Sequence, residues 1–178
     1  MKPILMVAAL AGGLVLTGCD DPAVVSLEAF AAPGDAITDP ALAGAWQEKD
    51  DSDLIVIKRN GAVGYTVIYY DDSSSRKFDA LLFKVGDAEF LDVVPKDDDD
   101  FRVKAHTLFR VWPEAGRLGW AFVDTEWFRG QAVAVASRPL AEGKSVLTGP
   151  TAALRGLVER AAGDERAHGQ VFAWERLQ

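Results

Sequence analysis

Leu54-Ile55-Val56-Ile57-Lys58, then Asn60-Gly61, then Tyr65-Thr66-Val67-Ile68-Tyr69-Tyr70 is the stretch from which the fold can be read. The two flanking runs are rich in β-branched and aromatic residues, which suit a pleated, half-buried surface. Asn-Gly between such runs is the strongest short hairpin signal, because both residues tolerate the positive φ of a tight turn. An antiparallel pair of strands is expected here.

The same pattern extends in both directions. Residues 42–48 form a first short strand, ended by the charged turn Lys49-Asp50-Asp51-Ser52-Asp53. Downstream, the polar turn 71–75 leads to a strand over 78–85, Gly86-Asp87 turns the chain, and 89–94 is the next strand. Pro95 and the run 97–100 of four aspartates stop it. Residues 103–112 and 117–123 then pair around Pro113-Glu114-Ala115-Gly116. About seven short strands with turns at regular spacing mark an antiparallel sandwich or barrel. Neighbours in sequence usually pair, so a mainly β meander in a curved sheet, partly or fully closed, is expected.

The C-terminal third adds one or two short helices. Asp124 or Thr125 can cap a helix with Glu126 in its first turn, although 131–136 alternates Ala and Val and also reads as a strand. Residues 151–162 are helical in pattern, with Thr151 as cap, Leu154, Leu157 and Val158 on one face, and Gly163 where a helix stops. Residues 171–177 read as a final strand.

The N-terminus has a different design. Lys2 precedes an uncharged apolar run over 4–16, too short to span a bilayer, which takes about 20 residues. Leu16-Thr17-Gly18-Cys19 closes it and holds the only cysteine of the 178 residues. That tetrapeptide looks like a bacterial lipobox, at which the Cys19 thiol is acylated and the chain is cut before it. The alternative is ordinary signal cleavage with Cys19 incidental, which leaves an odd thiol in an exported chain. Three parts follow: a cleaved lipoprotein signal peptide over 1–18, an acylated cysteine and flexible tether over 19–41, and one β-rich domain over 42–178. Pro22, Pro33, Gly34 and Pro40 interrupt the tether, but 24–30 is apolar enough to dock on the domain. In lipoproteins of enteric type an aspartate directly after the acylated cysteine disfavours transfer to the outer membrane. The resemblance thus implies that Asp20 and Asp21 hold the protein on the periplasmic face of the inner membrane.

Charge and composition exclude several roles. The chain carries a net charge of −8 and loses only Lys2 with residues 1–18. Phosphate backbones need clustered Lys and Arg, so no nucleic-acid partner is expected, and adhesion to anionic lipid headgroups is disfavoured. With Cys19 acylated no thiol remains for a disulfide, and the core must stabilise the fold unaided.

Gly44-Ala45-Trp46 on the first strand resembles the Gly-x-Trp of lipocalin-like, or calycin, barrels, in which a basic residue late in the last strand packs across the indole. Arg176 stands at that place in this sequence, and a guanidinium on an indole face is a favourable cation–π pair. Trp46 as an ordinary core aromatic is the plainer alternative. Residues 42–46, 90–95, 106–111 and 122–127 are also similar to uncharacterised bacterial lipoproteins with a compact lipocalin-like β domain. The resemblance implies a lipocalin-like barrel and an anchor, and no activity.

Chemistry-bearing residues are few. Gly-x-Ser-x-Gly is absent, and His106 is read as a structural histidine bonded to a backbone or carboxylate group rather than a catalytic base. His168 is expected to be exposed. The acidic turns 50–53 and 97–100 read as solvated loops, since calcium sites space their ligands and need a glycine at the bend. Two distant histidines do not make a zinc site, and no phosphate-cradling glycine loop is present, so neither metal nor cofactor is expected. Tryptophans 46, 112, 120, 127 and 174 fill the core or line a ligand cavity. The expected role is a non-enzymatic, membrane-anchored periplasmic domain with a structural or interaction function at the cell envelope. The alternative is a lipocalin-like carrier of a small hydrophobic ligand, favoured by a hollow apolar barrel and excluded by a filled one.

Overall fold

The structure, a computed structural model, describes residues 24–48, 52–96, 103–131, 135–139 and 145–177. A two-residue strand, β1 (Val25–Ser26), precedes the barrel strands β2 (Gly44–Glu48), β3 (Leu54–Asn60), β4 (Gly64–Tyr70), β5 (Ser75–Val85) and β6 (Ala88–Pro95). β7 (His106–Glu114) and β8 (Arg117–Val123) lead into helix α1 (Thr125–Gln131). Short strands β9 (Ser137–Pro139) and β10 (Ser145–Leu147), helix α2 (Thr151–Ala162) and strand β11 (His168–Arg176) complete the order.

β2 to β8 form an antiparallel meander, and β11 joins its two ends by pairing with both β8 and β2. Pairing of β6 with β7 makes the circuit continuous, so eight antiparallel strands form a closed barrel. Closure removes the open edges that an eight-stranded sheet would otherwise expose. The Asn60-Gly61 hairpin forms with Asn60 opposite Gly64, and Gly61 takes the positive φ of 70° that turns the chain. Gly64 meets it closely, since a Cβ there would stand 2.9 Å from the Asn60 carbonyl.

Alternation along the strands makes two cores. The inner one includes Trp46, Tyr65, Leu82 and Trp174. The outer one lies where α2 and the N-terminal segment cover β5 to β7, and joins Phe83, Phe90 and Leu108 to Leu154, Leu157 and Val158. β6 is therefore buried on both faces from Phe90 to Val93. Each such Leu or Phe contributes about 1.5–3 kcal/mol by leaving water.

Several expectations are corrected. The segment read as a flexible tether over 19–41 is packed from Val24 onward, through 24–30 as its apolar character suggested and beyond it to Ala41. Val24, Phe30 and Ala31 are buried, β1 pairs with β7 and β10, and the Ile37 amide donates to the Leu82 carbonyl at 2.8 Å. Its apolar residues cover the outward side of β6, which would otherwise face water. Thr151 does not cap α2; Pro150 holds the cap position in an extended conformation, and its carbonyl accepts from Ala153 and Leu154. Of the two readings open for the segment after Asp124, residues 125–131 take the helical one, opened by Asp124, whose Oδ1 accepts from the Trp127 amide at 2.7 Å. The turn expected over 113–116 is only Ala115-Gly116, because Pro113 stays in register opposite Leu118. Leu16, Thr17, Gly18, Cys19, Asp20 and Asp21 lie outside the described residues, as do 49–51, 97–102, 132–134 and 140–144. No described helix is long and apolar enough to cross a membrane.

Candidate functional site

The barrel is hollow. A cavity of about 330 Å³ runs between the strands, walled by apolar side chains including Ile57, Val67, Leu91, Val93, Val111 and Trp120. These belong to the inward set of each strand, so the period-2 pattern that makes the sheet also makes the lining. Small-molecule sites occupy about 300–1,000 Å³ and are apolar with a few placed polar groups. The cavity falls within that range.

Polar groups gather at the end formed by the last turn of β4 and the start of β5. Tyr69, Arg76 and Thr107 line the cavity there. The Tyr69 hydroxyl donates to Asp53, and burial followed by that carboxylate pushes its pKa up to about 12. The Arg76 guanidinium lies 5.3 Å from the Tyr69 ring centre and 3.3 Å from Asp71 Oδ2, so this rim carries both charge signs. Deeper in, the indole N–H groups of Trp120 and Trp174 are buried without an acceptor among the described residues.

The opposite end is closed by the segment that follows the 3-10 turn Pro33–Asp35. The Asp39 amide donates to the Tyr65 hydroxyl at 2.8 Å, and that hydroxyl donates to the Asp39 carbonyl at 3.0 Å. Trp46 is fully buried beside it, and its Nε1–H donates to the Leu42 carbonyl at 3.1 Å. Arg176 stands opposite Trp46 in the β2–β11 register, with its guanidinium carbon 4.5 Å from the ring centre. The structure thus brings together Trp46 and Arg176, the pair suggested from the two ends of the sequence. Arg176 Nη2 also donates to the Ala41 carbonyl at 2.7 Å, tying the closing segment to the last strand. Gly44 eases this approach, because a Cβ there would lie 3.2 Å from the guanidinium carbon and make it shift slightly.

The histidines are on the outer face, and neither reaches the barrel cavity. His106 Nδ1–H donates to Asp92 Oδ1 at 2.8 Å, and Asp92 Oδ2 accepts the Phe30 amide at 2.9 Å. Asp92 is 3% exposed, so one buried carboxylate joins β6, the start of β7 and the N-terminal segment. Hydrogen bonding to Asp92 raises the His106 pKa above its ordinary value, with burial opposing. His168 is not exposed as expected. It is half-buried, and its Nε2 accepts from Arg110 Nη1 at 3.1 Å. Burial and the Arg110 charge lower its pKa. Among the described residues no group of three or more His, Cys, Asp or Glu is placed to hold a metal ion.

Sequence reasoning missed Arg110 and Asp92. A signal existed for each: Asp92 interrupts an apolar run buried on both faces, and Arg110 shares the outward period of β7 with Trp112. Of the five tryptophans, Trp46 and Trp174 fill the inner core, Trp120 lines the cavity, Trp112 is on the outer face, and Trp127 Nε1–H donates to Asp164.

Fold and cavity together define a closed, eight-stranded antiparallel barrel with an apolar interior, compatible with the lipocalin-like architecture. Compared with protein-family models, curated proteins and solved structures, the chain has no match in any of the three.

Proposed function

We propose that the chain is a lipid-anchored bacterial envelope protein that works by binding rather than by catalysis, and that its barrel carries a small hydrophobic ligand. The observation that carries this reading is the apolar cavity of about 330 Å³, open enough to be lined from Leu42 to Arg76. Of the two binding roles expected from the sequence, that cavity favours the carrier over a purely structural or interaction role. The unpartnered Trp120 N–H gives such a ligand one anchor, suited to a carbonyl or ether oxygen. The polar rim at Tyr69 and Arg76 suits a ligand whose wetter end stays near solvent.

Anchoring rests on Leu16-Thr17-Gly18-Cys19 and on Asp20, which favours the inner membrane. A membrane tether raises the local concentration of a carrier where hydrophobic molecules partition. The His106–Asp92 pair supports the non-catalytic reading, because Asp92 spends its second oxygen on the Phe30 amide and neither residue lines either of the two cavities described.

Mass spectrometry of the protein purified natively from membranes tests both halves. Acyl chains on Cys19 and a stoichiometric apolar molecule are expected. An intact residue 1 with an unmodified thiol overturns the anchor; an empty barrel that also takes up no hydrophobic probe overturns the carrier.

A further inference from the structure

A second cleft lies on the outer face, between β7, β11 and the C-terminal end of α2. Its volume is about 490 Å³, and Arg110, Trp112, Gly163, Glu165, His168 and Val171 are among its walls. Arg110 is the unusual group in it. The guanidinium is half-buried, 5.4 Å from the Phe90 ring centre and 5.1 Å from that of Trp112. Trp112 lies against Gly119 across the β7–β8 register, where a Cβ would meet its ring at 3.5 Å.

Arginine is rarely fully buried unless paired, and this one is half-buried against two aromatic rings. Here it has no carboxylate partner among the described residues: its one hydrogen bond goes to His168 Nε2, and its Nε–H is buried without an acceptor. An imidazole that accepts from a guanidinium is neutral, so it does not compensate the charge. The described residues therefore supply a positioned cation without a counter-charge, which an anionic ligand would provide.

The remaining walls set the class of anion. Glu165 lines the cleft and Asp164 is close by, though Asp164 is paired with Arg166 at 2.8 Å. The carbonyl end of α2 at Gly163 adds negative potential. A doubly charged phosphate meets this repulsion with a single arginine to offset it, whereas a singly charged carboxylate matches. Val171 is 57% exposed and Trp112 presents an aromatic surface, so the cleft also offers an apolar wall.

We propose that this cleft is a second ligand site, outside the barrel, that binds a small organic monocarboxylate: Arg110 takes the carboxylate, and Trp112 and Val171 carry its apolar body. It does not rest on the carrier reading, because no residue is shared between the two cavities.

The test is a titration of the full-length chain with sodium benzoate, followed by NMR of arginine Nε–H and tryptophan indole N–H signals. Benzamide and inorganic phosphate serve as the neutral and the dianionic comparison. Saturable shifts at Arg110 and Trp112 are expected at millimolar benzoate, with Trp120 in the barrel unmoved. Arg110→Gln should weaken binding about tenfold or more, and Arg110→Lys, which keeps the charge but not the fork, by less. Circular dichroism of both variants checks that they fold, and Val171→Asp is a second disruption that leaves Arg110 in place. Equal binding of benzamide, phosphate binding as tight as benzoate, shifts confined to Trp120, or wild-type affinity in Arg110→Gln would each overturn the proposal.

Discussion

The two faces of the barrel wall are packed in opposite ways. Inside, large aromatic and branched side chains leave a void of about 330 Å³; outside, α2 and the N-terminal segment close over β5 to β7 in a filled cluster. The inner face holds indole N–H groups with no acceptor among the described residues, while the part of the outer face under the N-terminal segment holds a fully used carboxylate, Asp92, with two donors. The outer face under α2 and the N-terminal segment is thus closed, whereas the inside leaves room to hold something else. Empty apolar volume forfeits dispersion contacts, so a hollow interior is retained at a cost in stability.

Truncation sharpens this contrast most. Phe90→Ala, in the outer cluster, should destabilise by about 3–5 kcal/mol in denaturant unfolding, since a filled site cannot collapse. Val93→Ala, three positions further along the same strand but facing the void, should cost about 1 kcal/mol. Equal losses would erase the distinction between the faces. Asp92→Ala comes next, at about 2–3 kcal/mol, because it leaves the Phe30 amide and His106 without their acceptor. Proteolysis in the segment around Phe30 should rise in that variant; unchanged protection would mean that β1 and Val24 hold the segment without Asp92.

Arg176→Ala should cost about 1 kcal/mol through the lost contact with Trp46, and Gly44→Ala somewhat less by crowding the guanidinium. Their effects should fall short of additivity in a double-mutant cycle, as both act on one pair; strict additivity would separate them.

The smallest effects are the pH dependences of the two outer histidines, which have opposite signs. His106 has a raised folded pKa, so its contribution is full below about 6.5 and is lost as pH rises through the raised value. His168 has a lowered folded pKa, so its contribution is present above about 6.5 and is lost as pH falls through the lowered value. Thermal unfolding of His106→Gln and His168→Gln against the parent chain should show losses that diverge on opposite sides of that pH. Losses on the same side would contradict the assigned partners.

Much of the barrel was legible in the sequence because its turns are local chemistry. Gly61, Gly86 and Gly116 all take positive φ at the hairpins, where strand periods on either side meet. The pairing of β11 with β2 was legible only through Trp46 and Arg176, since closure joins residues 130 apart and leaves no local trace. Strands of two or three residues such as β1, β9 and β10 are too short to show a period. Prolines 22, 33 and 40 made the N-terminal segment read as linker, although Val24, Phe30 and Ala31 are core residues. The apolar residues on both faces of β6, Phe90 and Val94 on one and Leu91 and Val93 on the other, were the signal that something had to lie over it. The cavity itself could not be read, because a period-2 pattern says which side chains point inward and not whether they meet.

Methyl NMR during a titration with 1-decanol compares the two faces in one experiment. Saturable shifts are expected at Val67, Leu91, Val93, Val111 and Leu118, which line the cavity, with Leu154, Leu157 and Val158 on the buried face of α2 unmoved. Val93→Trp, by filling the void, should abolish the response while the protein stays folded. No saturable shift, or shifts centred on the outer cluster, would contradict the claim that the barrel holds a hydrophobic ligand.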